Sequence, residues 1–191
     1  MQRNAYSGKH PFSCAPSMDH SPKAQAKRRL GLDPDALHLL VLCGDGEPAF
    51  YSDLISMVYV CDDHDSAISV VCGENSSLAG RLQEELGHLE TIHIHICDSS
   101  FELSVLLESA DLLLTPLHEI AASEAKKRRL PVVFMQKDGK MVPPRCRELL
   151  EKGCAAVGQE DVALAEYCIE LLDQTQRREQ MESAYHNLGA S

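Results

Sequence analysis

From residue 37 onward the chain repeats one pattern: a short unbroken apolar run, then a stretch with apolar residues at helical spacing. The runs fall at 37–43, 67–72, 91–97, 112–115, 132–135 and 155–157. The helical stretches fall between them at 49–60, 78–86, 99–109, 120–129 and 144–152, and after them at 162–172 and 175–188. The third helical stretch, 99–109, opens with Ser99 and Glu102, the spacing of a capping box. Strands that alternate with helices make βαβ units with right-handed crossovers. Continuous apolar strands, rather than alternating ones, belong to a parallel sheet covered on both faces. The pattern therefore predicts an α/β fold, a Rossmann-like doubly wound parallel sheet of about six strands. In such a sheet, ligands gather at the carboxyl ends of the strands. Those ends are Gly44-Asp45-Gly46, Gly73-Glu74-Asn75, Asp98-Ser99 and Thr115-Pro116.

Length restricts the chain to one such unit. Its 191 residues suffice for one sizeable domain and are too few for two full Rossmann-type halves. Residues 1–22, rich in Ser, Pro, His and Asn, read as a linker or tail; 23–191 read as the domain. A short basic helix over 23–30 opens the domain and stops near Gly31 and Asp33-Pro34. The net charge of −11 argues against nucleic acid as a partner. No apolar run approaches the roughly 20 residues of a membrane span, and the N-terminus has no apolar signal core. A cytoplasmic protein is expected.

Eight cysteines stand at 14, 43, 61, 72, 97, 146, 154 and 168, with no CxxC and no zinc-ligand spacing. Cys43, Cys72 and Cys97 each end an apolar run, where Cys acts as a small buried hydrophobe. Reduced thiols follow, with no disulfides, metal site or cofactor expected. His93 and His95 alternate with isoleucines and point to one strand face, half-exposed and not metal-binding.

The strand ends also carry a family resemblance. Ser7-Gly8-Lys9-His10-Pro11-Phe12 is similar to a "TGIPxxPxF" segment, and Lys27 to Leu32 to "RxxLGL". Val41-Leu42-Cys43-Gly44-Asp45-Gly46-Glu47 resembles "VMGGGEG", and Val70 to Asn75 resembles "VVCGKN". Asp98 with Glu102-Leu103, then Ser109-Ala110-Asp111-Leu112-Leu113, resembles "VDNMxEL…ASDLLIT". Ser123-Glu124-Ala125 with Leu130-Pro131 resembles "GGLTISEALAxGLP"; Leu149 with Gly153-Cys154-Ala155 resembles "NAxxLxxxGAA". In order and spacing, over about Ser7 to Leu188, these resemble family-28-type glycosyltransferases of the GT-B fold. The nearest resemblance is to monogalactosyldiacylglycerol synthases and processive diacylglycerol glucosyltransferases.

The resemblance implies the C-terminal, UDP-sugar half of a two-domain glycolipid enzyme, without the acceptor domain and its catalytic base. It places the donor against Gly44, Asp45 and Gly46, against Gly73, Glu74 and Asn75, and against the 96–101 stretch with Asp98 and Phe101. It further implies Ser123 and, on the ribose hydroxyls, Glu124. Each segment also has a plain reading: a tight βα turn at Gly44-Gly46, a helix N-cap at Asn75, a solvated helix residue at Glu124. Two departures stand out. Where relatives have Gly-Gly at a helix start, this chain has His118 and Glu119. A carboxylate there repels a diphosphate by about 3 to 4 kcal/mol per charge pair at contact, for an effective dielectric of about 20. Where relatives read "PGQExxN", residues 137–145 place Arg145 at the Asn position, with Lys137 and Lys140 nearby. The basic run Lys126 to Arg129 reads as a solvated helix end before a membrane contact.

No catalytic residue is expected in the chain by itself. Three readings stay open: a donor-binding domain with a degenerate diphosphate site, a catalytic subunit that recruits a separate membrane-associated acceptor subunit, and a non-enzymatic interaction or regulatory module. The first leads.

Overall fold

The computed structural model describes residues 21–95, 100–136 and 139–188, with Ser100 and Phe101 described in backbone only. Six strands form one parallel sheet: β1 His38–Leu42, β2 Ala67–Val71, β3 Ile92–His95, β4 Leu112–Pro116, β5 Val132–Met135 and β6 Ala155–Gly158. Their order is β3-β2-β1-β4-β5-β6, so the winding reverses between β1 and β4. This is the doubly wound Rossmann order, with its switch point at that junction. Where both are described, strand ends differ from the expected ones by at most one residue, as frayed ends do; the last helix, expected over 175–188, ends at Ala184 and passes into a 3-10 turn over Tyr185–Asn187. The expected tail, 1–22, lies outside the described residues up to residue 20, as do Ile96 to Ser99, Lys137 and Asp138.

The helices are α1 Pro22–Arg29, α2 Pro48–Cys61, α3 Ser76–Leu86, α4 Ser100–Ser109, α5 Glu119–Arg128, α6 Pro144–Glu151, α7 Asp161–Asp173 and α8 Thr175–Ala184. α2, α3 and α7 cover one face of the sheet. There Leu54, Ile55, Leu82, Leu164 and Cys168 pack on Leu39, Val41 and Val70. α4, α5 and α6 cover the other, where Leu106, Ala125, Cys146 and Leu149 pack on Leu40, Leu113 and Phe134. Successive residues of each strand point into these two apolar layers in turn, which is why the strands read as unbroken apolar runs. The turn from α7 to α8 is held by buried Arg178, whose guanidinium donates to the Leu171 and Leu172 carbonyls. It thereby satisfies acceptors that a helix end leaves open.

At the N-terminal end of the sheet, α1 is bolted on by charge. Lys27 is buried and its Nζ lies 2.7 Å from Asp111, which begins the β4 turn; Lys23 reaches the other carboxylate oxygen at 2.9 Å. Asp111 also accepts from the His38 backbone N–H at 3.0 Å, and Lys27 donates to the Ala36 carbonyl. Behind it, Ser109 Oγ donates to the Leu106 carbonyl, so His38 Nδ1 must donate to Ser109 Oγ, 2.9 Å away. His38 is fully buried, and burial lowers its imidazole from 6.5 to about 4. The six described cysteines, Cys43, Cys61, Cys72, Cys146, Cys154 and Cys168, are free.

Candidate functional site

At the switch point the chain leaves β1 through Cys43 and turns at Gly44-Asp45-Gly46 into α2. A Cβ on Gly44 would stand 2.7 Å from Pro116 Cγ; one on Gly46 would stand 2.7 Å from the Tyr51 ring. The turn is thus pressed between the end of β4 and the first turn of α2, which only glycine permits at those positions. The Gly44 N–H donates to Tyr51 Oη at 2.7 Å. Burial raises the Tyr51 phenol to about 12, and its hydroxyl occupies a backbone donor that a phosphate would otherwise use.

A cavity of about 850 Å³ opens above this turn. Its walls come from the carboxyl ends of β1, β4, β5 and β6, and from Leu103 and Leu107 of α4. Leu42, Leu117 and Met135 make it largely apolar; Thr115, Gln136 and Gln159 add polar groups. Its described lining carries four carboxylates, Asp45, Glu47, Glu124 and Glu160, against one lysine, Lys140. Lys140 approaches Asp45 to 3.9 Å across the mouth.

The opposite wall is the start of α5. His118 is its N-cap, and Nδ1 accepts from the Ile120 N–H at 3.2 Å. That uses a second donor at the place where a helix favours anions. Glu119 does not line the cavity. It turns to α6, where its carboxylate accepts from the Arg145 N–H at 3.1 Å and sits 3.4 Å from Arg145 Nε. Arg145 also donates to Ser123 Oγ at 2.9 Å. The repulsion expected at Glu119 is therefore largely offset within the protein. Glu124, one turn further, does reach the cavity. Lys127 and Arg128 hold its carboxyl below the usual range, Arg128 at 2.6 Å. Lys126 faces Glu148 and Arg128 also faces Glu108, so the basic run is paired along its own surface.

The structure thus brings Gly44, Asp45, Gly46, His118 and Glu124 around one cavity. Ser123, Glu119 and Arg145 form a polar network beside it. Gly73, Glu74 and Asn75 stand apart, outside its lining: Gly73 adopts φ +59°, and Asn75 Oδ1 caps α3 by accepting from the Leu78 N–H at 2.9 Å. Asp98 lies outside the described residues, and Phe101 is placed only as part of α4. Tyr51, Gln136 and Glu160 line the cavity without having been expected. Gln159 and Glu160 follow the sixth strand directly, so extending the strand-end rule to β6 finds them.

No family model and no curated protein matches the chain. Solved structures do. A putative UDP-N-acetylglucosamine 2-epimerase from Listeria monocytogenes aligns with TM-score 0.68 and 19% identity over 82% of this chain and 41% of its own. A UDP-GlcNAc 2-epimerase from Neisseria meningitidis, bound to UDP-GlcNAc, aligns with TM-score 0.66 and 13% identity over 87% and 47%. WaaG, a glycosyltransferase involved in lipopolysaccharide biosynthesis, aligns with TM-score 0.64 and 21% identity over 87% and 46%. The fold is that of one half of a GT-B structure. At these identities the likeness establishes the fold, and the chain spans less than half the length of each of these proteins. Among the described residues, no helix is long and apolar enough to cross a membrane, and no group of side chains is arranged to hold a metal ion.

Proposed function

We propose that this chain is a donor-side domain of a UDP-sugar glycosyltransferase lineage, binding the nucleoside and sugar of its ligand at the switch-point cavity and gaining little from the diphosphate. The observation that carries the reading is the cavity itself. It lies at the β1/β4 junction of a fold whose relatives include one bound to UDP-GlcNAc. Its volume suits a nucleotide sugar, and most of its lining is apolar with a few polar groups, as small-molecule sites are. The weak diphosphate contribution follows from three local facts. Tyr51 takes the Gly44 N–H, His118 takes the Ile120 N–H, and the described lining is net acidic. Glu124 remains as an acceptor for ribose or sugar hydroxyls, since a carboxylate has room for more than the two bonds Lys127 and Arg128 donate.

On this reading the chain alone transfers no sugar, and a glycolipid acceptor belongs to a second domain or subunit. Ile120 and Met141, which line the cavity, are 66% and 84% exposed, as expected of a rim that a second body covers. Calorimetric titration with uridine, UDP and UDP-GlcNAc tests the proposal. Uridine and UDP should bind within about threefold of each other, whereas an intact diphosphate site adds several kcal/mol. The change His118→Gly should selectively improve UDP. Absence of any uridine or UDP-sugar binding would overturn the reading. Tight UDP binding that is lost on removing His118 would instead favour a site adapted to the diphosphate, and with it the catalytic-subunit alternative.

A further inference from the structure

Cys43 and Cys72 immediately follow two neighbouring parallel strands. The β1–β2 register pairs Leu42 with Val71, so the next pair in step is Cys43 with Cys72. The ladder continues past the last pair, since Cys43 N–H donates to the Val71 carbonyl at 2.9 Å and Cys72 N–H to His95 at 3.1 Å. Both side chains fall on the same face of the sheet, in the layer shared with α2 and α3. In-register residues on adjacent strands have Cα atoms about 4.8 Å apart, inside the 4.4–6.8 Å range that disulfides span. Gly44 follows the first, and Gly73, in the left-handed region at φ +59°, follows the second. Closure asks for a small inclination of the two Cβ atoms towards each other.

The two thiols also differ in a useful way. Cys43 lines the cavity, whereas Cys72 lies outside its lining and is buried at 5% exposure. They hydrogen-bond to each other, and that bond raises the Cys43 thiol while it lowers that of Cys72. The shared bond thus favours ionisation at Cys72 over Cys43, and thiolate is the nucleophile.

We propose that Cys43 and Cys72 form a redox-active dithiol at the carboxyl ends of β1 and β2, beside the cavity wall, closed to an intrachain disulfide by a small hydroperoxide. The Cys72 thiolate attacks the distal peroxide oxygen; the O–O bond breaks, the sulfur becomes a sulfenic acid, and hydroxide leaves as water after taking a proton. Cys43 sulfur then attacks the Cys72 sulfur and its proton leaves with the sulfenic oxygen as a second water. Two thiols are oxidised by two electrons, and with hydrogen peroxide the reductant–oxidant balance closes on one peroxide and two waters. The proposal stands independently of which ligand fills the cavity. Because Cys43 adjoins the Gly44 turn, the oxidised state alters the cavity wall directly.

The test uses the full chain, equimolar hydrogen peroxide, and alkylation on unfolding. No Lys or Arg lies between Leu30 and Arg81, so cleavage is made at acidic residues, which separates Cys43 from Cys72. The expected product is a peptide pair joined through Cys43 and Cys72, formed before exposed Cys61 changes. In Cys43→Ser, Cys72 should stop at a sulfenic acid that dimedone captures. In Cys72→Ser, oxidation of Cys43 should slow at least about tenfold, because the thiolate partner is gone. Prior oxidation of Cys61, a Cys72–Cys97 linkage, or Cys43 and Cys72 remaining fully alkylatable after peroxide treatment would each overturn the proposal.

Discussion

At the N-terminal end of the sheet, the charged side chains that enter the interior meet a counter-charge. Asp111 holds Lys23, Lys27 and the His38 N–H, and His38 holds Ser109. At the carboxyl end, the polar groups are looser and mostly exposed: Asp45 and Lys140 approach only to 3.9 Å, and Glu119 pairs with Arg145 on the surface. The first end is a closed lock for α1, and the second is an open rim around 850 Å³ of space. Both ends contain residues that carried the family resemblance, Lys27 and Asp111 below, Gly44 and Glu124 above. A shared motif position is therefore of two kinds here. One kind secures the fold by pairing charge beneath the sheet; the other borders the cavity.

The sharpest way to break this comparison is Asp111→Ala. It strands buried Lys27 without its counter-charge and leaves the His38 N–H without an acceptor. Removing one member of a buried pair costs about 3–5 kcal/mol. Urea denaturation should show a loss of that size, with uridine affinity of the remaining folded protein unchanged. A loss under about 1 kcal/mol would mean that the two ends do not differ as described.

The same lock should be visible as a pH dependence. Burial is the largest influence on His38 and lowers it from 6.5 to about 4, against the opposing pull of Asp111. The unfolded chain then binds a proton that the folded chain refuses across that window. Stability is fully present above pH 6.5 and falls as pH drops toward 4, by roughly 3 kcal/mol in all. Asp111 extends the loss to lower pH. Burial raises its carboxyl, but Lys23 and Lys27 together outweigh burial and lower it, so its contribution disappears only as pH falls through its depressed value. His38→Gln should flatten the upper part of this profile and leave the lower part. A profile flat from pH 7 to 4 in the unaltered chain would contradict the burial of a neutral His38.

At the carboxyl end, Tyr51→Phe is the matching probe. It removes the acceptor of the Gly44 N–H and little volume. Leaving one buried donor unmet costs about 1–3 kcal/mol, and the exposed side of the turn places the effect at the low end. The released N–H faces the cavity, so UDP should gain affinity relative to uridine. Equal loss for both ligands would show that Tyr51 contacts the nucleoside instead.

The fold was legible because it rests on a repeated signal. Six apolar runs separated by helical spacing leave few arrangements once crossovers are right-handed, and all six strands form where the runs lie. The capping of α3 by Asn75 was also readable from local chemistry. The cavity wall was less so, because it depends on contacts between distant residues. Nothing in the sequence around Gly44 says that Tyr51, seven residues on, turns its hydroxyl back onto that N–H. The pairing of Glu119 with Arg145 spans 26 residues, so a charge read locally as facing a phosphate instead faces α6. Gly46 reads as a phosphate-type glycine, and the Tyr51 ring packed against it also requires glycine there.

The smallest expected effect completes the contrast and separates charge from fold. Arg145 is 60% exposed on its side chain and Glu119 41%, so their ion pair lies in screened surroundings. Such pairs contribute about 0–1 kcal/mol, and Arg145→Ala should lower stability by less than 1 kcal/mol, several times less than Asp111→Ala. Its consequence for ligand is separate. Without Arg145, Glu119 loses the partner that offsets it and stands as an unneutralised carboxylate at the start of α5. UDP should then weaken relative to uridine, by a factor that shrinks as salt is raised, because exposed charges are screened. Measuring both ligands at low and high ionic strength isolates that term. If the UDP-to-uridine ratio stays constant across both salts and both proteins, Glu119 does not act on the ligand, and the acidic residues that line the cavity itself must account for any poor recognition of the diphosphate.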